Sequence, residues 1–409
     1  RAREAAFQLA TFSTEQKNAA LLAIADALEA NTSRILEVNR GDIEQAKANG
    51  TDPIWIRDRI DLERRMAGII ADVRKVAELP DPVGNIYDER HVEPGLEVHK
   101  VRVPLGVLGV IYESRPNVTV DISTLALKTG NAVILRGGSD VLNTNLELVR
   151  VLTEALVASG FPADTMQYIA STDRKYVGEM LKMHDHIDMI IPRGGAGLHN
   201  FCRENSTIPV IIGGMGVVHI YVDEAADLEK SLPVIHNAKT QRPAVCNSVE
   251  TLLVHEAIAA EFLPHVVENL SAADVVFKAE EKAYAIVGEN ERVSPAVPED
   301  FDTGWYGLTL NLKVVTSMDD AIRHIRKHST FHSDGILTQA AQTAATFMNR
   351  VDSAAVFWNA STRFNDGSAL GLGAEVAIST QKLHARGPMA LEELTTYKWI
   401  VVGDYTSRP

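Results

Sequence analysis

The segment Ala132-Val-Ile-Leu-Arg-Gly-Gly-Ser-Asp140 places a short apolar run directly before a pair of glycines. A helical pattern follows from about Val141 to Ala158 and ends at Ser159-Gly160, with Pro162 just beyond. Glycine after the last helical turn, followed by proline, is an ordinary helix stop signal. The segment therefore predicts a buried strand, a tight turn and a helix, which together make one half of a βαβ unit.

Further short apolar runs alternate with helical patterns around this unit. Strands are predicted at Val107–Tyr112, Ala132–Leu135, Met166–Ile169, Ile187–Ile191, Val210–Ile212 and His219–Val222. A second set follows residue 246, with strands at Thr251–Val254, Gly335–Leu337 and Ala354–Phe357 and helices from about Glu256 and over Gln339–Arg350. Strands that alternate with helices form largely parallel sheets, so we predict an α/β fold with two sheets.

Other patterns frame these two sets. Ser13 and Gln16 match a capping box that opens an N-terminal helix, and a second helix is predicted over Ile35–Ala48. Glu89–Val103 and the tail Thr395–Asp404 instead alternate polar and apolar residues. Such alternation is typical of antiparallel strands, so we expect these two segments to pair with each other or with another subunit.

The composition argues against several classes of function. The 409 residues carry a formal net charge of −14, whereas nucleic acids and anionic membrane surfaces bind basic proteins. No apolar run reaches the length of a membrane span, and no signal peptide is recognisable. The two cysteines cannot form a disulfide framework. We therefore expect a cytoplasmic enzyme without nucleic-acid or membrane partners, and a short segment preceding Arg1.

Cys246 is the candidate nucleophile. Lys239 and Arg242 lie a few residues before it, and cationic neighbours favour the thiolate, which is the reactive form of cysteine. On these local features alone, a buried and inert thiol remains the favoured interpretation. The other cysteine, Cys202, lies within a predicted helix and is expected to be inert.

Two glycine pairs, Gly137-Gly138 and Gly194-Gly195, follow predicted strands and are each preceded by an arginine. Such turns let backbone N–H groups approach a phosphate closely. Neither pair matches the full dinucleotide fingerprint, so plain tight turns explain them equally well.

Polar and cationic residues also cluster at Asn359–Arg363 and at Gln381–Gly387. Loops of this kind suit an acidic substrate, although ordinary solvated loops account for them too. His184-Asp-His186 lacks a third ligand, so we predict no metal site.

Longer segments carry a resemblance that these short motifs do not. They are Arg102–Val107, Tyr112–Asp121, Lys128–Gly138, Ile191–Gly197, Cys246–Thr251, Val315–Ile336 and Ser379–Pro388. Over nearly the whole chain, they resemble the aldehyde dehydrogenase superfamily and, within it, the γ-glutamyl phosphate reductase family. The resemblance implies a Rossmann-like NADP-binding domain (residues 1–88 and 105–235), an α/β catalytic domain (236–393) and a small antiparallel oligomerisation element (89–104 and 394–409).

The resemblance also implies a reaction. Cys246 would be the nucleophile, which reverses the interpretation drawn from its local features. L-glutamyl 5-phosphate would be reduced by NADPH to L-glutamate 5-semialdehyde and phosphate through a cysteine thioester, the second step of proline biosynthesis. A homo-oligomer, either dimer or tetramer, and an association with glutamate 5-kinase would follow.

Further site residues are implied by the same resemblance. Arg115 and Asn117 are catalytic candidates for stabilising an oxyanion, and Arg115 also suits the leaving phosphate. The implied cofactor-binding residues are Arg136, Gly137, Gly138, Ser139, Arg193, Gly194 and Gly195. The implied substrate-binding residues are Lys239, Arg242, Ser361, Arg363, His384 and Arg386.

Three departures from the superfamily refine this expectation. The glutamate that activates water in hydrolytic members corresponds to Ile211, which cannot act as a base, so a thioester would persist. The glutamate expected near Gly304 and Trp305 is missing, which leaves open how the nicotinamide ribose is held. Arg136 and Ser139 replace a lysine and a carboxylate, and both can hydrogen-bond a 2′-phosphate, which favours NADPH.

Two alternatives remain. A CoA-acylating aldehyde dehydrogenase would share the cysteine and the thioester, and would also lack the hydrolytic glutamate. It would need a CoA channel, and the long matching segments weigh against it. A non-catalytic binding protein of the same fold would be expected to have lost Cys246 or the glycine-rich turns, and both are present.

Overall fold

The computed structural model describes residues 1–213 and 215–408. It divides into two compact units. The first unit comprises residues 1–212, 372–377 and the segment from Met389 onward, and the second comprises 213–371 and 378–388. None of the described helices has both the length and the apolar character needed to cross a membrane.

The first unit is built on a four-stranded parallel sheet. Its helices are α1 Ala2–Leu9, α2 Thr14–Ala30, α3 Thr32–Ala48, α4 Pro53–Trp55, α5 Met66–Glu78, α6 Asn117–Lys128, α7 Leu142–Ala158, α8 Lys175–Met180 and α9 Ala196–Asn205. Its strands are β1 Ile86–Val92, β2 Leu96–Pro104, β3 Val107–Tyr112, β4 Ala132–Arg136, β5 Met166–Tyr168 and β6 Met189–Arg193. The sheet order is β5-β4-β3-β6. The capping box at the start of α2 is formed as predicted, with Ser13 and Gln16 each accepting from the other's backbone N–H.

The register of this sheet brings the ends of three strands together. Tyr112 of β3 lies opposite Arg193 of β6, and Ile111 lies opposite Arg136 of β4. Because the strands are parallel, the turns that follow them leave the same edge of the sheet, where α/β folds hold their ligands. Both glycine pairs are therefore at the carboxyl edge.

The predicted strand Val210–Ile212 does not form. Only an isolated bridge joins Val210 to Ile190 before the chain reaches Gly213. The bridge bonds run from the Ile190 N–H to the carbonyl oxygen of Pro209 and from the Ile211 N–H to the carbonyl oxygen of Ile190, and this single pairing does not extend into a ladder.

The two alternating segments pair with each other, which confirms one of the two pairings expected from the sequence. The first segment forms the hairpin β1-β2, and the tail forms the last strand, Thr395–Val402, which runs antiparallel to β2. The sheet order places this last strand at an edge, with β2 in the middle.

The second unit contains a seven-stranded parallel sheet. Its strands are β7 Val218–Val222, β8 Val249–His255, β9 Val276–Ala279, β10 Val293–Pro295, β11 Thr309–Val315, β12 Ser333–Leu337 and β13 Ala355–Trp358, in the order β10-β9-β11-β8-β7-β12-β13. Its helices are α10 Leu228–Thr240, α11 Glu256–Ser271, α12 Glu281–Val287, α13 Met318–His328 and α14 Ala341–Arg350. Two short strands, β14 Ala377–Ser379 and β15 Gly387–Met389, lie where the chain passes between the units. Strand β8 is wholly buried except at its last residue, His255.

The boundary between the units differs from the predicted one. The sequence predicts that the first domain ends at residue 235, but the second unit begins at residue 213. The reason is that β7 pairs with β8 and β12 of the second sheet. The antiparallel strands also belong to the first unit rather than forming a third.

Candidate active site

Cys246 lies in the loop between α10 and β8 of the second unit and is half buried. The segment that leads into β7 passes directly over the backbone of Cys246. A Cβ atom added at Gly216 would lie 1.6 Å from the carbonyl oxygen of Cys246. Only glycine permits so close an approach, so this contact fixes one side of the nucleophile's loop.

A turn at residues 361–365 holds the other side of the loop. The Thr362 hydroxyl donates to the carbonyl oxygen of Asn247 at 2.8 Å. In return, the Asn247 side-chain amide donates to the carbonyl oxygen of Asn365 at 3.0 Å. Ser361 is buried, and its hydroxyl accepts from the N–H of Arg363 at 3.3 Å. Ser361 therefore shapes this turn, and its contact with substrate stays a prediction.

The turn delivers Arg363 to the neighbourhood of Cys246. Partial burial lowers the pKa of Arg363, as does the nearby Arg242, whereas the charge of Cys246 acts in the opposite direction. The Arg363 guanidinium donates to the Gln241 side chain at 3.1 Å. The structure thus brings together two of the predicted substrate-binding arginines with the nucleophile.

Lys239 does not belong to this substrate-facing group. Its side chain is fully buried, and its ammonium nitrogen lies 2.9 Å from a carboxylate oxygen of Glu250, which is equally buried. The same nitrogen donates to the carbonyl oxygen of Val249. Burial raises the pKa of Glu250 to about 7, while Lys239 works against that rise. The prediction that Lys239 binds substrate is therefore wrong: it is half of a buried ion pair behind the loop.

Among the other predicted substrate-binding residues of the second unit, Arg386 forms an ion pair with Asp352. The Arg386 guanidinium donates to the carboxylate of Asp352 at 2.6 Å, and Lys382 approaches the same carboxylate at 2.6 Å. These bonds lower the pKa of Asp352 to about 2. Arg386 is thus engaged in an ion pair, and the side chain of His384 is exposed.

Arg115 lies in a cluster of cations at the carboxyl edge of the first unit's sheet. Burial and the neighbouring Arg193, Arg59 and Arg65 together lower the pKa of Arg115 to about 10, against the opposing charge of Glu113. Within the described residues, the buried Nε of Arg193 has no hydrogen-bond partner. Such an excess of buried positive charge is suited to an anion.

Asn117 is more constrained than the sequence suggested. Its side-chain nitrogen donates to Asp121 at 2.8 Å, and its side-chain oxygen accepts from Arg65 at 3.3 Å. Burial raises the pKa of Asp121 to about 6. Because both ends of the Asn117 amide are held, Arg115 is the stronger of the two catalytic candidates in this unit.

The first glycine pair forms a close-fitting turn. A Cβ atom at Gly137 would lie 2.3 Å from the side-chain nitrogen of Asn145, and one at Gly138 would lie 2.9 Å from the backbone nitrogen of Ser114. Arg136 is buried and donates to the carbonyl oxygens of Gly137 and of residue 172. Because neither glycine has a side chain, the backbone of the turn stays uncovered, as phosphate binding by backbone N–H groups requires.

The second glycine pair already holds an anion of the chain itself. The N–H of Gly195 donates to the Glu113 carboxylate at 2.9 Å, and a Cβ atom at Gly194 would lie 2.6 Å from that carboxylate. A glutamate in this position disfavours a phosphate beside it. Gly194 and Gly195 anchor Glu113 in this structure, and their role in cofactor binding stays a prediction.

Several residues of the site were not identified from the sequence. Glu250, Gly216 and Tyr306 contact the nucleophile's loop or its supports, but they are separated from Cys246 by irregular structure or by many residues. Of these three residues, only Glu250 could have been identified from the sequence, because it is a charged residue near the start of a buried strand, four positions after Cys246. Among the described residues, no group of three potential ligands is arranged to hold a metal ion.

Comparison with known proteins places this geometry in a family. The model of the aldehyde dehydrogenase family matches residues 1–287. The γ-glutamyl phosphate reductase of Aeromonas salmonicida is 56% identical over 405 residues, covering 99% of this chain and 97% of the relative. The enzyme of that name from Vibrio parahaemolyticus is 56% identical over 409 residues, covering 100% and 98%.

Solved structures agree with the sequence comparison. The crystal structure of γ-glutamyl phosphate reductase from Thermotoga maritima matches with a TM-score of 0.97 at 47% identity, covering 100% of this chain and 98% of that one. An acetylating aldehyde dehydrogenase from Geobacillus thermoglucosidasius shares the fold, with a TM-score of 0.70 at 17% identity over 100% and 96% of the two chains. The chain therefore belongs to the aldehyde dehydrogenase family and, within it, to the γ-glutamyl phosphate reductases.

Proposed function

We propose that the chain reduces L-glutamyl 5-phosphate to L-glutamate 5-semialdehyde and inorganic phosphate, with NADPH as the hydride donor. The observation that carries this proposal is the position of Cys246 in a fixed loop beside Arg242 and Arg363. Full-length relatives named for this reaction support it. The reaction is the second step of proline biosynthesis.

The residues of the second unit suit the first chemical step. The Cys246 thiolate attacks the acyl carbon, a carbon–sulfur bond forms, and the bond to the phosphate oxygen breaks with its electron pair leaving on phosphate. Arg242 and Arg363 favour the thiolate and attract an anionic substrate. Lys239 and Glu250 support the loop from behind without touching the reacting atoms.

The thioester resists hydrolysis because the chain has an isoleucine where hydrolytic members of the superfamily have a glutamate that activates water. By family resemblance, Ile211 corresponds to the water-activating glutamate of hydrolytic members, and its buried side chain has no group that can accept a proton. The acyl group therefore stays on Cys246 until it is reduced.

As a reductase of this family, the enzyme uses a nicotinamide cofactor, and we propose the phosphorylated form. When bound, NADPH supplies the hydride that reduces the thioester. The first unit fits such a molecule at Gly137-Gly138, where an added Cβ would fill the turn, and at Arg136, whose Nε is buried without a partner among the described residues. Ser139 is exposed at the start of the next helical turn, where its hydroxyl can donate to a phosphate.

Replacing Ser139 with aspartate should shift cofactor preference toward NADH. The added carboxylate would repel the 2′-phosphate of NADPH and accept hydrogen bonds from the free ribose hydroxyls of NADH. We expect the ratio of the Kd for NADPH to that for NADH to rise by at least about tenfold, as one lost charged hydrogen bond would give. Fluorescence titration measures both constants, and Ser171→Asp serves as a control for added charge. An unchanged ratio would contradict the assignment of Ser139.

The test of the reaction runs it in reverse. Glutamate semialdehyde, phosphate and NADP⁺ are mixed with the enzyme, and NADPH formation is followed by absorbance. Formation that requires phosphate supports the proposal. Formation that requires CoA in place of phosphate would instead identify a CoA-acylating enzyme, and no formation with either would reject both.

We propose that the edge strand Thr395–Val402 mediates a homo-oligomer, either a dimer or a tetramer. Trp399 and Val401 are about half exposed on this strand, and the Lys100 ammonium lies 4.7 Å from the Trp399 ring centre. An exposed apolar edge readily pairs with another chain. Val401→Lys should therefore give smaller particles in sedimentation, whereas Val157→Lys, an equally exposed site on α7, should not. Particles of unchanged size in Val401→Lys would reject this interface.

Two further assignments complete the proposal. A cytoplasmic location suits the enzyme, because a thiolate nucleophile needs a reducing compartment and two cysteines in 409 residues do not make a disulfide framework. Association with glutamate 5-kinase would shorten the exposure of a labile acyl phosphate to water. Co-sedimentation of the two purified enzymes would test that association.

A further inference from the structure

The parallel sheet of the first unit reverses its strand order between β3 and β6. From β3 the chain continues to β4 and β5 on one side, and it reaches β6 on the other side afterwards. Open α/β sheets bind ligands at the carboxyl edge where such a reversal occurs. We call the residues at this place, 113–117 and 193–199, the β3–β6 edge. The turn after β4 is proposed above to hold the cofactor, so the β3–β6 edge has no established ligand.

Three arginines meet at the turn that follows β3. The backbone N–H of Glu113 donates to the carbonyl oxygen of Arg193 at 3.0 Å, which fixes the end of β6 two positions before Arg115. The Arg65 guanidinium donates to the side-chain oxygen of Asn117 at 3.3 Å, two positions after Arg115. One backbone bond and one side-chain bond therefore bring Arg65 and Arg193 to either side of Arg115.

Two of these three arginines have no counter-ion. Among the described residues, the guanidinium groups of Arg115 and Arg193 form neither an ion pair nor a hydrogen bond, and the Nε of Arg193 is buried. Arg65 differs, because its guanidinium donates to two backbone carbonyl oxygens as well as to Asn117. Both unpaired arginines are half buried, and charge that is removed from water without a partner costs free energy. The β3–β6 edge is therefore incomplete without an anion.

His199 adds a second unsatisfied group to this edge. It lies in the first turn of α9, where its backbone N–H donates to the carbonyl oxygen of Gly195 at 3.3 Å. Its side chain is only 8% exposed, and its Nδ1 has no hydrogen-bond partner within the described part of the chain. Burial lowers the pKa of His199 to about 4, and the charges of Arg193 and Arg115 act in the same direction. The neutral imidazole can carry its single proton on Nδ1 and donate it in a hydrogen bond.

The chain's own carboxylate at this edge does not neutralise the arginines. Glu113 accepts from the N–H of Gly195 at 2.9 Å, and it forms no ion pair with Arg115 or Arg193 among the residues described. Because Glu113 already occupies the glycine turn, an external anion at this edge must be bound by side chains. Two guanidinium groups facing one carboxylate leave a net positive charge for that anion.

We propose that Arg115 and Arg193, with His199 beside them, form a binding site for a phosphoryl group, and that this group is the phosphate of the acyl phosphate substrate. The assignment to the substrate rests on the reaction proposed above. Guanidinium groups bind phosphate through paired hydrogen bonds, and a phosphate dianion balances two arginines where a carboxylate balances one. Arg193 then determines substrate specificity, whereas the sequence implied that it binds the cofactor.

Arg193→Met tests the proposal, because methionine removes the charge and keeps an unbranched apolar side chain. Binding of inorganic phosphate to the cofactor-free protein is measured by isothermal titration calorimetry at low ionic strength. The Kd for phosphate should rise by about 10- to 100-fold, as the loss of a charged hydrogen bond gives. The KM for phosphate in the reverse reaction should rise with it, while the Kd for NADP⁺ should not change. Arg203→Met, at an exposed arginine in the last turn of α9, should change none of these constants.

Two results would overturn the proposal. One is an unchanged Kd for phosphate in a folded Arg193→Met protein. The other is a weakened affinity for NADP⁺ with phosphate binding intact, because the cofactor would then be the anion that this edge holds. Phosphate binding needs no turnover, so a variant series that behaves as expected in calorimetry, in an enzyme that forms no NADPH, would retain the site and reject the reaction.

Glu113→Gln covers the case in which Arg193→Met does not fold. Glutamine keeps an acceptor for the N–H of Gly195 and removes the negative charge from the β3–β6 edge. Inorganic phosphate should therefore bind about fivefold more tightly. Damage to the fold cannot produce a gain in affinity, so an unchanged or weaker affinity in this variant would reject the site.

Discussion

Cys246→Ala will lose essentially all NADPH formation in the reverse assay, falling to less than about a thousandth of the parent rate. Without the sulfur there is no thioester, and nothing else in the fixed loop can carry the acyl group. The measurement is the steady-state rate with phosphate and NADP⁺ at saturating semialdehyde. It should be accompanied by a thermal unfolding curve, because the loop is tied to Gly216 and to the turn at 361–365.

Cys202→Ala is the matched control for this experiment. Cys202 is fully buried on α9, and burial raises the pKa of its thiol to about 11. A thiol of this kind is unreactive near neutral pH, so the control should keep its rate and should still be alkylated once, at Cys246. Substantial turnover in Cys246→Ala would show that the hydride reaches the acyl group without a covalent enzyme intermediate.

Gly216→Ala should reduce the same rate by about 100-fold, even though alanine is the smallest possible change. Its Cβ would lie 1.6 Å from the carbonyl oxygen of Cys246 and 2.7 Å from the carbonyl carbon. Both are backbone atoms, so the two segments must separate by an ångström or more. A displacement of that size at a reacting group is enough to cost two orders of magnitude in rate.

Gly178→Ala provides the comparison, because a Cβ atom there meets nothing within 4 Å. It should leave the rate unchanged. The rate of Cys246 alkylation separates a misplaced nucleophile from an unfolded protein, since a folded but displaced thiol remains reactive to a small reagent. A folded Gly216→Ala variant with parental turnover would mean that the nucleophile's loop tolerates displacement.

The elements that the sequence predicted best are those whose burial is continuous. Val107–Tyr112 was placed to the residue, because all six of its residues are buried and it is flanked by Gly106 and Glu113. Val210–Ile212 failed because apolar character alone does not supply a partner strand. The membership of Val218–Val222 in the second sheet depends on pairing with strands far along the chain, which no local pattern encodes.

The residues of the site also divide into those that could be predicted from their own segments and those whose role depends on a distant partner. Cys246, Arg242 and Arg363 could be proposed from their own segments and from family resemblance. The burial of Lys239 could not, because its partner Glu250 lies across a turn whose course depends on the whole sheet. Tyr306 was missed for the same reason, since its backbone N–H points to Glu250, a residue 56 positions earlier in the chain.

The strands of the antiparallel sheet are synthesised far apart in time. Arg102 on β2 donates to Thr395 on the last strand, 293 positions later. At the usual speed of protein synthesis, β2 leaves the ribosome roughly 15–60 s before its outer partner exists. During that interval the hairpin presents an open edge to every other nascent chain nearby. Slow translation or a stop codon before residue 395 would therefore endanger the protein by misassembly, even where every catalytic residue had already been made.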